Sequence, residues 1–365
     1  MRTYIGVDYH RGFSYMTAMD ERGKVCARGR VANDREAVTR FLKRADQGGC
    51  GAAVLEATRN WTVMYDLLEE LVGEVHLAHP LKVKAIAEAR IKTDKIDSEV
   101  LAHLLRCDLL PEAHVPGPAA RMVRNVLRQR MFFVRVRGMI KNRVRGLLDR
   151  HPELAASQPC KDVFCREGLS WLKAAPFQKE ERRLLDQELK LHDELDQRIR
   201  QSDERVEELG RADERVELLQ TIPGIGKFFA LLLFHEIDDV RRFSNEKKLF
   251  SYVGIVPSTY SSGGRTYHGR LTKQGNKYLR WALVEAIWPA IRSDAGLAAY
   301  YSRVKARAGP NPAKIATARR LATIVYRVLT QGRPYYVTKA AIPRLPSVQS
   351  CGLPAKSGSR TSNEE

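Results

Sequence analysis

Hydrophobic and polar positions change their rhythm several times along the chain, and each change predicts a different element. Residues 3–8 (TYIGVD) form a short apolar block, residues 13–19 alternate, and residues 24–31 follow a turn at Glu21-Arg22-Gly23; this pattern predicts three strands. Asn33 then opens a helical pattern with Glu36 three positions on, the spacing of a capping box. Residues 51–57 (GAAVLEA) predict a buried strand, 61–72 a helix and 74–78 another strand, with further helices to about residue 109. Three strands followed by alternating helix and strand is the order of an α/β ribonuclease-H-like fold, although other α/β folds begin in the same way.

Beyond residue 116 the period is helical. Residues 121–148 carry apolar side chains at helical spacing, with Arg121, Arg124, Arg128 and Arg135 largely on the other side. Residues 151–178, punctuated by Pro152, Pro159 and Pro176, predict irregular or short-helical structure. From about 179 to 219, Leu195, Ile199, Val206, Leu209 and Val216 fall at heptad-like spacings interrupted by Ser202 and Asp213; a helical hairpin or a short coiled coil between subunits is expected. Residues 281–329 predict helices with Trp281 and Trp288 in the core, and the Pro/Ser/Gly-rich tail from 341 predicts disorder. The expected organisation is thus an α/β domain over 1–115, a basic connector and coiled coil over 116–220, a mainly helical domain over 221–340 and a tail over 341–365.

Composition sharpens this outline. The 365 residues carry a net charge of +19, and no apolar run is long enough to span a bilayer, so a polyanionic partner is expected and a membrane is not. Six cysteines without a CxxC pair or zinc-type histidine spacing indicate reduced thiols and a cytoplasmic location. The surplus is uneven: residues 1–115 hold 17 basic and 17 acidic residues, 116–150 hold 10 and 1, 151–220 hold 12 and 17, and 221–365 hold 23 and 8.

The neutral first block contains the clearest candidate chemistry. Asp8 and Glu56 are charges inside apolar strands, where an unpaired charge is costly. Asp94 and Asp97 lie three apart at the start of a predicted helix and share a face. Four converging carboxylates repel one another unless protonated or bound to a divalent cation, and such cations serve phosphoryl transfer. Each acid also has an ordinary reading: Asp8 as a strand-end turn acceptor, Asp94 as a helix cap, Asp97 as a first-turn acid favoured by the helix dipole.

The basic blocks suggest holding surfaces. Arginines on the 121–148 helix offer forked donors to phosphates. Ile222-Pro223-Gly224-Ile225-Gly226 reads as a turn between helices; its Gly224 and Gly226 could present amides to a DNA phosphate or serve tight helix packing. Residues 252–280 hold Arg265, Arg270, Lys273, Lys277 and Arg280 without an acid, interleaved with serine and glycine, and suit a loop lying against a nucleic-acid backbone. A serine here could be a nucleophile, but composition does not single one out, and no base lies within the segment.

At this level of detail the chain resembles the insertion sequence 110 family of DEDD transposases. The resemblance is carried by IGVDYH at the start, VLEAT around Glu56, KTDKID at 92–97, IPGIG at 222–226 and YVGIVPSTYSSGG followed by GRLTKQGNKYLRWALVEA over 252–286. It implies a RuvC-like, ribonuclease-H-fold domain whose Asp8, Glu56, Asp94 and Asp97 bind Mg²⁺, joined through a coiled coil to a transposase domain. The motif register implies Ser262 as the nucleophile, with Ser261 adjacent, and includes Asn276 in the nucleic-acid-binding block. It further implies a transient phosphoserine link to DNA, a structured noncoding guide RNA pairing with donor and target DNA, and composite sites in a dimer or dimer of dimers. Two other readings stay open: a metal-dependent endonuclease of the Holliday-junction type without serine chemistry, and a non-catalytic nucleic-acid-binding descendant of such enzymes.

Overall fold

The computed structural model describes residues 2–45, 51–87, 93–209 and 213–336. The disorder expected of the 341–365 tail, together with Cys50 and Cys351, therefore lies outside the described residues. Contacts divide the chain into two compact units, Met1–Pro116 and Gly117–Glu365.

The first unit is a five-stranded mixed sheet with helices. Strands β1 (Thr3–Tyr9), β2 (Ser14–Met19) and β3 (Val25–Val31) are followed by α1 (Arg35–Ala45), β4 (Gly51–Glu56), α2 (Trp61–Glu69), β5 (Glu74–Ala78), α3 (Pro80–Ile86) and α4 (Asp94–Arg106). The sheet order is β3-β2-β1-β4-β5, with β1, β2 and β3 antiparallel and β1, β4 and β5 parallel. Alternation along the strands sorts residues between two faces. Ile5 and Val7 pack with Ala53, Leu55, Phe41 and Leu68 in one core, while Val54 packs with Val83, Leu101 and Leu104 in another. The capping role expected of Asn33 belongs to Asp34, whose carboxylate accepts Ala37 N–H at 2.7 Å. Asn33 instead ties the sheet edge, its amide donating to His10 O at 2.7 Å and its oxygen accepting Ser14 Oγ at 2.7 Å.

The second unit begins with α5 (Pro118–Leu148), the short α6 (Pro152–Ala155) and α7 (Arg166–Ala174), and α8 (Lys179–Leu209). The heptad stripe of α8 finds its partner within the chain, because α8 packs against α5. Arg130–Asp203 (2.7 Å), Arg137–Asp196 (2.5 Å) and Arg143–Glu188 (2.6 Å) set an antiparallel register, since one number rises as the other falls. Leu185, Leu189, Leu195, Ile199 and Val206 are buried on this helix. The acidic middle of the sequence thus neutralises part of the basic connector directly.

The remaining helices are α9 (Glu214–Gln220), α10 (Lys227–Ile237), α11 (Glu246–Val253), α12 (Lys277–Glu285), α13 (Ile287–Ser293), α14 (Ala295–Ala308) and α15 (Pro310–Gln331). Val123 and Leu127 of α5 join their core, so connector and helical block share one interior. Trp281 packs at the edge of that core, and Trp288, expected inside, is 42% exposed. Phe132 on α5 is exposed. The serine-rich segment, expected as a loop, forms a two-stranded hairpin, β6 (Pro257–Ser262) and β7 (Arg265–Leu271). Gly263 (φ 56°) and Gly264 (φ 74°) make its turn, where two successive positive φ angles favour glycine. Among the described residues no helix is long and apolar enough to cross a membrane.

Candidate catalytic site

Two adjacent parallel strands deliver the first two acids. Val7 of β1 pairs with Leu55 of β4, so Asp8 and Glu56, one residue further on, emerge side by side at the carboxyl ends of their strands. Asp8 shares a sheet face with Gly6, and Glu56 with Val54. That face is covered by α4. A Cβ on Gly6 would lie 1.9 Å from Ser98 O, so glycine is the residue that lets α4 lie directly on β1. A buried hydroxyl pair, Thr17 and Ser98 at 2.8 Å, fixes the same contact. Thr93 Oγ1 caps α4 by accepting Ile96 N–H at 3.3 Å, which places Asp94 and Asp97 in the first turn.

Asp8, Glu56 and Asp97 line one cavity of about 1040 Å³. Asp94 approaches through His10: His10 Nε2 lies 3.2 Å from Asp8 Oδ2 and 3.3 Å from Asp94 Oδ1. Ligand atoms of Asp8, His10 and Asp94 all lie within 4.8 Å of one another. Burial raises the Asp8 carboxyl above its ordinary value; His10 works against this, and the charges of Asp97 and Asp94 add to it. Carboxylate oxygens are hard ligands, and a divalent cation would relieve their repulsion; the donor set fits such an ion.

His10 is a site residue that sequence reasoning missed. Its backbone is held from two sides, His10 N–H donating to Phe13 O at 3.0 Å and Asn33 donating to His10 O. Its ring lies 5.0 Å from Phe13, which Arg30 covers at 3.7 Å. The available signal was its position two residues after Asp8, just beyond the strand. Arg11, Arg59 and Lys84 also line the cavity. This otherwise neutral unit therefore places cationic side chains beside its acids, where a phosphate chain would meet them.

In the second unit, Ser262 ends β6 and is exposed beside the Gly263-Gly264 turn. Ser261 Oγ lies 3.2 Å from Thr266 Oγ1 across the hairpin. Arg265, Arg270, Lys273 and Lys277 are exposed around this segment, Lys273 with a φ of 51°. Arg280 turns inward and donates to Val253 O at 2.9 Å. Asn276 caps α12 by accepting Tyr278 N–H at 3.0 Å and Leu279 N–H at 3.1 Å, and its amide donates to Glu236 at 2.7 Å.

Glu236, fully buried on the apolar α10, gathers several expected contact residues about itself. Arg128 grips it with two bonds of 2.7 and 2.9 Å. Arg124 is only 6% exposed and donates to His235 O at 2.6 Å and Glu236 O at 3.3 Å. These two arginines therefore face the interior, because a buried carboxylate needs them; Arg135 is exposed and Arg121 half-buried. Gly224 (φ 84°) is a packing glycine, since a Cβ there would lie 2.4 Å from Ala286 O. Gly226 lies exposed at the N-terminus of α10.

Comparison with known proteins matches both units. Residues 5–152 match the DEDD transposase model of the IS110 group, described as a transposase, and residues 216–302 match the model described as Transposase IS116/IS110/IS902 family. The transposase for insertion sequence element IS1111A of Coxiella burnetii is 24% identical over 341 residues, 91% of this chain and 90% of that protein. The transposase for insertion sequence element IS1328 of Yersinia enterocolitica is 27% identical over 346 residues, 90% and 97% of the two chains. A pilin gene-inverting protein of Moraxella bovis is 36% identical over 124 residues, 32% of this chain and 38% of that one. An acid-lined cavity with a cationic rim, in a chain with these relatives, defines an enzyme of the DNA transposase class. Within that class the chain belongs to the IS110 family.

Proposed function

We propose that this transposase cuts and rejoins donor and target DNA through two chemical centres, an acid cluster that holds Mg²⁺ and the nucleophile Ser262. The observation that carries the reading is the convergence of Asp8, Glu56 and Asp97 on one cavity, with His10 bridging Asp8 and Asp94. The strand order β3-β2-β1-β4-β5 with acids at the ends of β1 and β4 supports a RuvC-like, ribonuclease-H-like reading of the first unit. Asp8, Glu56, Asp94 and Asp97 are the residues that would hold Mg²⁺, which when bound supplies positive charge at a reacting phosphodiester. His10 fixes the spacing of Asp8 and Asp94, and Arg11, Arg59 and Lys84 orient the DNA backbone beside them.

Ser262 Oγ attacks phosphorus as the bond to the departing deoxyribose oxygen breaks, leaving a phosphoserine link that a second DNA end resolves by the reverse exchange. Its exposed place beside a two-glycine turn suits close approach of a DNA backbone, and Arg265 and Arg270 supply charge to the phosphate. A relative named for inverting a gene favours rejoining over cutting alone. The working particle on this reading is a dimer or dimer of dimers carrying a structured noncoding guide RNA, with 1–115, 116–220 and 221–340 as its functional divisions. Substituting Ser262→Ala removes strand exchange and leaves DNA binding intact; exchange at the wild-type rate in that variant rules the serine centre out. Cleavage that survives Ser262→Ala but not Asp8→Asn leaves the metal-dependent endonuclease as the answer.

A further inference from the structure

A second cavity, of about 580 Å³, opens between α14, α15 and the segment after α15, well apart in sequence from the acids and from the serine hairpin. Its size is that of a small-ligand pocket. Arg303, Arg320, Arg327 and Arg333 line it, together with Tyr300 and Tyr336. Arg320 and Arg327 are seven residues apart on α15, which places them on one face about 10 Å apart. All four arginines are exposed.

Several arginines of this unit are spoken for: Arg124 and Arg128 by the Glu236 peptide and carboxylate, Arg130, Arg137 and Arg143 by acids of α8. Here the lining acid is Asp294, which is 1% exposed and committed, accepting Leu297 N–H at 2.8 Å and Tyr335 O–H at 2.8 Å. Among the described residues the four guanidiniums thus face the cavity without a carboxylate drawn from its walls. Tyr336, 80% exposed at the rim, and half-buried Tyr300 add flat faces to this cationic floor. Guanidiniums that grip phosphates beside aromatic rings on which unpaired bases stack are the two ingredients of single-strand binding. Duplex DNA keeps its bases stacked on each other and would use the charge but not the rings.

We infer that the cavity between α14 and α15 is a binding site for a single-stranded DNA segment, with phosphates on Arg320 and Arg327 and a base stacked on Tyr336. The inference is independent of the acid cluster and of Ser262, and binding without metal tests it. A fluorescein-labelled oligodeoxythymidine is titrated in EDTA by anisotropy against the intact protein and its variants. Arg320→Gln/Arg327→Gln is expected to weaken binding about tenfold or more and to reduce the salt slope by about 1.4, the share of two single-strand phosphates. Tyr336→Leu is expected to weaken it about tenfold, whereas Tyr336→Phe keeps wild-type affinity. The pair Lys305→Gln/Arg307→Gln, exposed on α14 outside the cavity, should change affinity less than threefold. Ultraviolet crosslinking of an iodouracil-substituted strand should map to Tyr300 or Tyr336. Equal losses in the Lys305/Arg307 control, crosslinks only outside the cavity, or unchanged affinity in both cavity variants would overturn the site. Equal affinity for a blunt duplex, or an RNA strand bound more than tenfold tighter, would overturn the assignment of its occupant.

Discussion

Replacing Asp8 by asparagine should make the cation-free protein more stable, the opposite of what removing a structural side chain does. Ligand atoms of Asp8, His10 and Asp94 lie within 4.8 Å of one another. Two like charges at about 4.8 Å cost roughly 3 kcal/mol at an effective dielectric near 20 and about 1 kcal/mol in water. Asp8 is 23% exposed and Asp94 45% exposed, so the repulsion is solvent-screened and the lower figure, about 1 kcal/mol, is the one to expect. Calorimetry in EDTA should then show the transition of the first unit about 4 °C higher in Asp8→Asn than in wild type. Adding Mg²⁺ to 100 times its dissociation constant should stabilise wild type by about 2.7 kcal/mol and the variant far less. A lower transition in EDTA, or an undiminished response to Mg²⁺, would refute the reasoning that the acids are held together for a cation.

Three further outcomes follow from the packing. Gly6→Ala should displace α4 from β1, because its Cβ would meet Ser98 O at 1.9 Å; loss of the Mg²⁺-dependent stabilisation with the sheet retained by circular dichroism is the expected signature. Glu236→Ala should cost about 3–5 kcal/mol in urea unfolding of the second unit, as it strands Arg128 and the Asn276 amide, and a loss under 1 kcal/mol would contradict the hub. His235 is held below the usual histidine value, first by burial and then by Arg124, so the unfolded chain takes up the proton more readily. Stability of the second unit should therefore fall as pH drops below about 6.5, and His235→Gln should flatten that slope.

Much of this architecture is legible in the residues, and the exceptions have physical causes. Strands β1 and β4 announce themselves because both faces are largely covered, leaving short apolar runs. Asp8 and Glu56 stand out as charges in such runs. Glu236 sits in a similar apolar run, FHEI, and the same rule applied there would have exposed it. His10 escapes because it lies past the strand end, where polarity carries no contrast. The hairpin escapes because its two strands lie almost wholly in solvent, so no alternation is imposed; the Gly263-Gly264 pair was the remaining signal. The heptads of α8 are readable but their partner is not, since a stripe does not say whether it meets its own chain or another copy. The juxtaposition of a 10-to-1 basic segment with a 12-to-17 acidic one was the clue that charge would be matched in cis.

The most direct test of the two-centre account is a trapping reaction. Suicide-substrate DNA, Mg²⁺ and the element's transcript are incubated with the intact protein, and any protein–DNA adduct is digested and mapped. The account predicts a DNA adduct on Ser262 that disappears in Ser262→Ala and in Asp8→Asn. Free DNA ends with no adduct in wild type, or an adduct that survives Ser262→Ala, would contradict it.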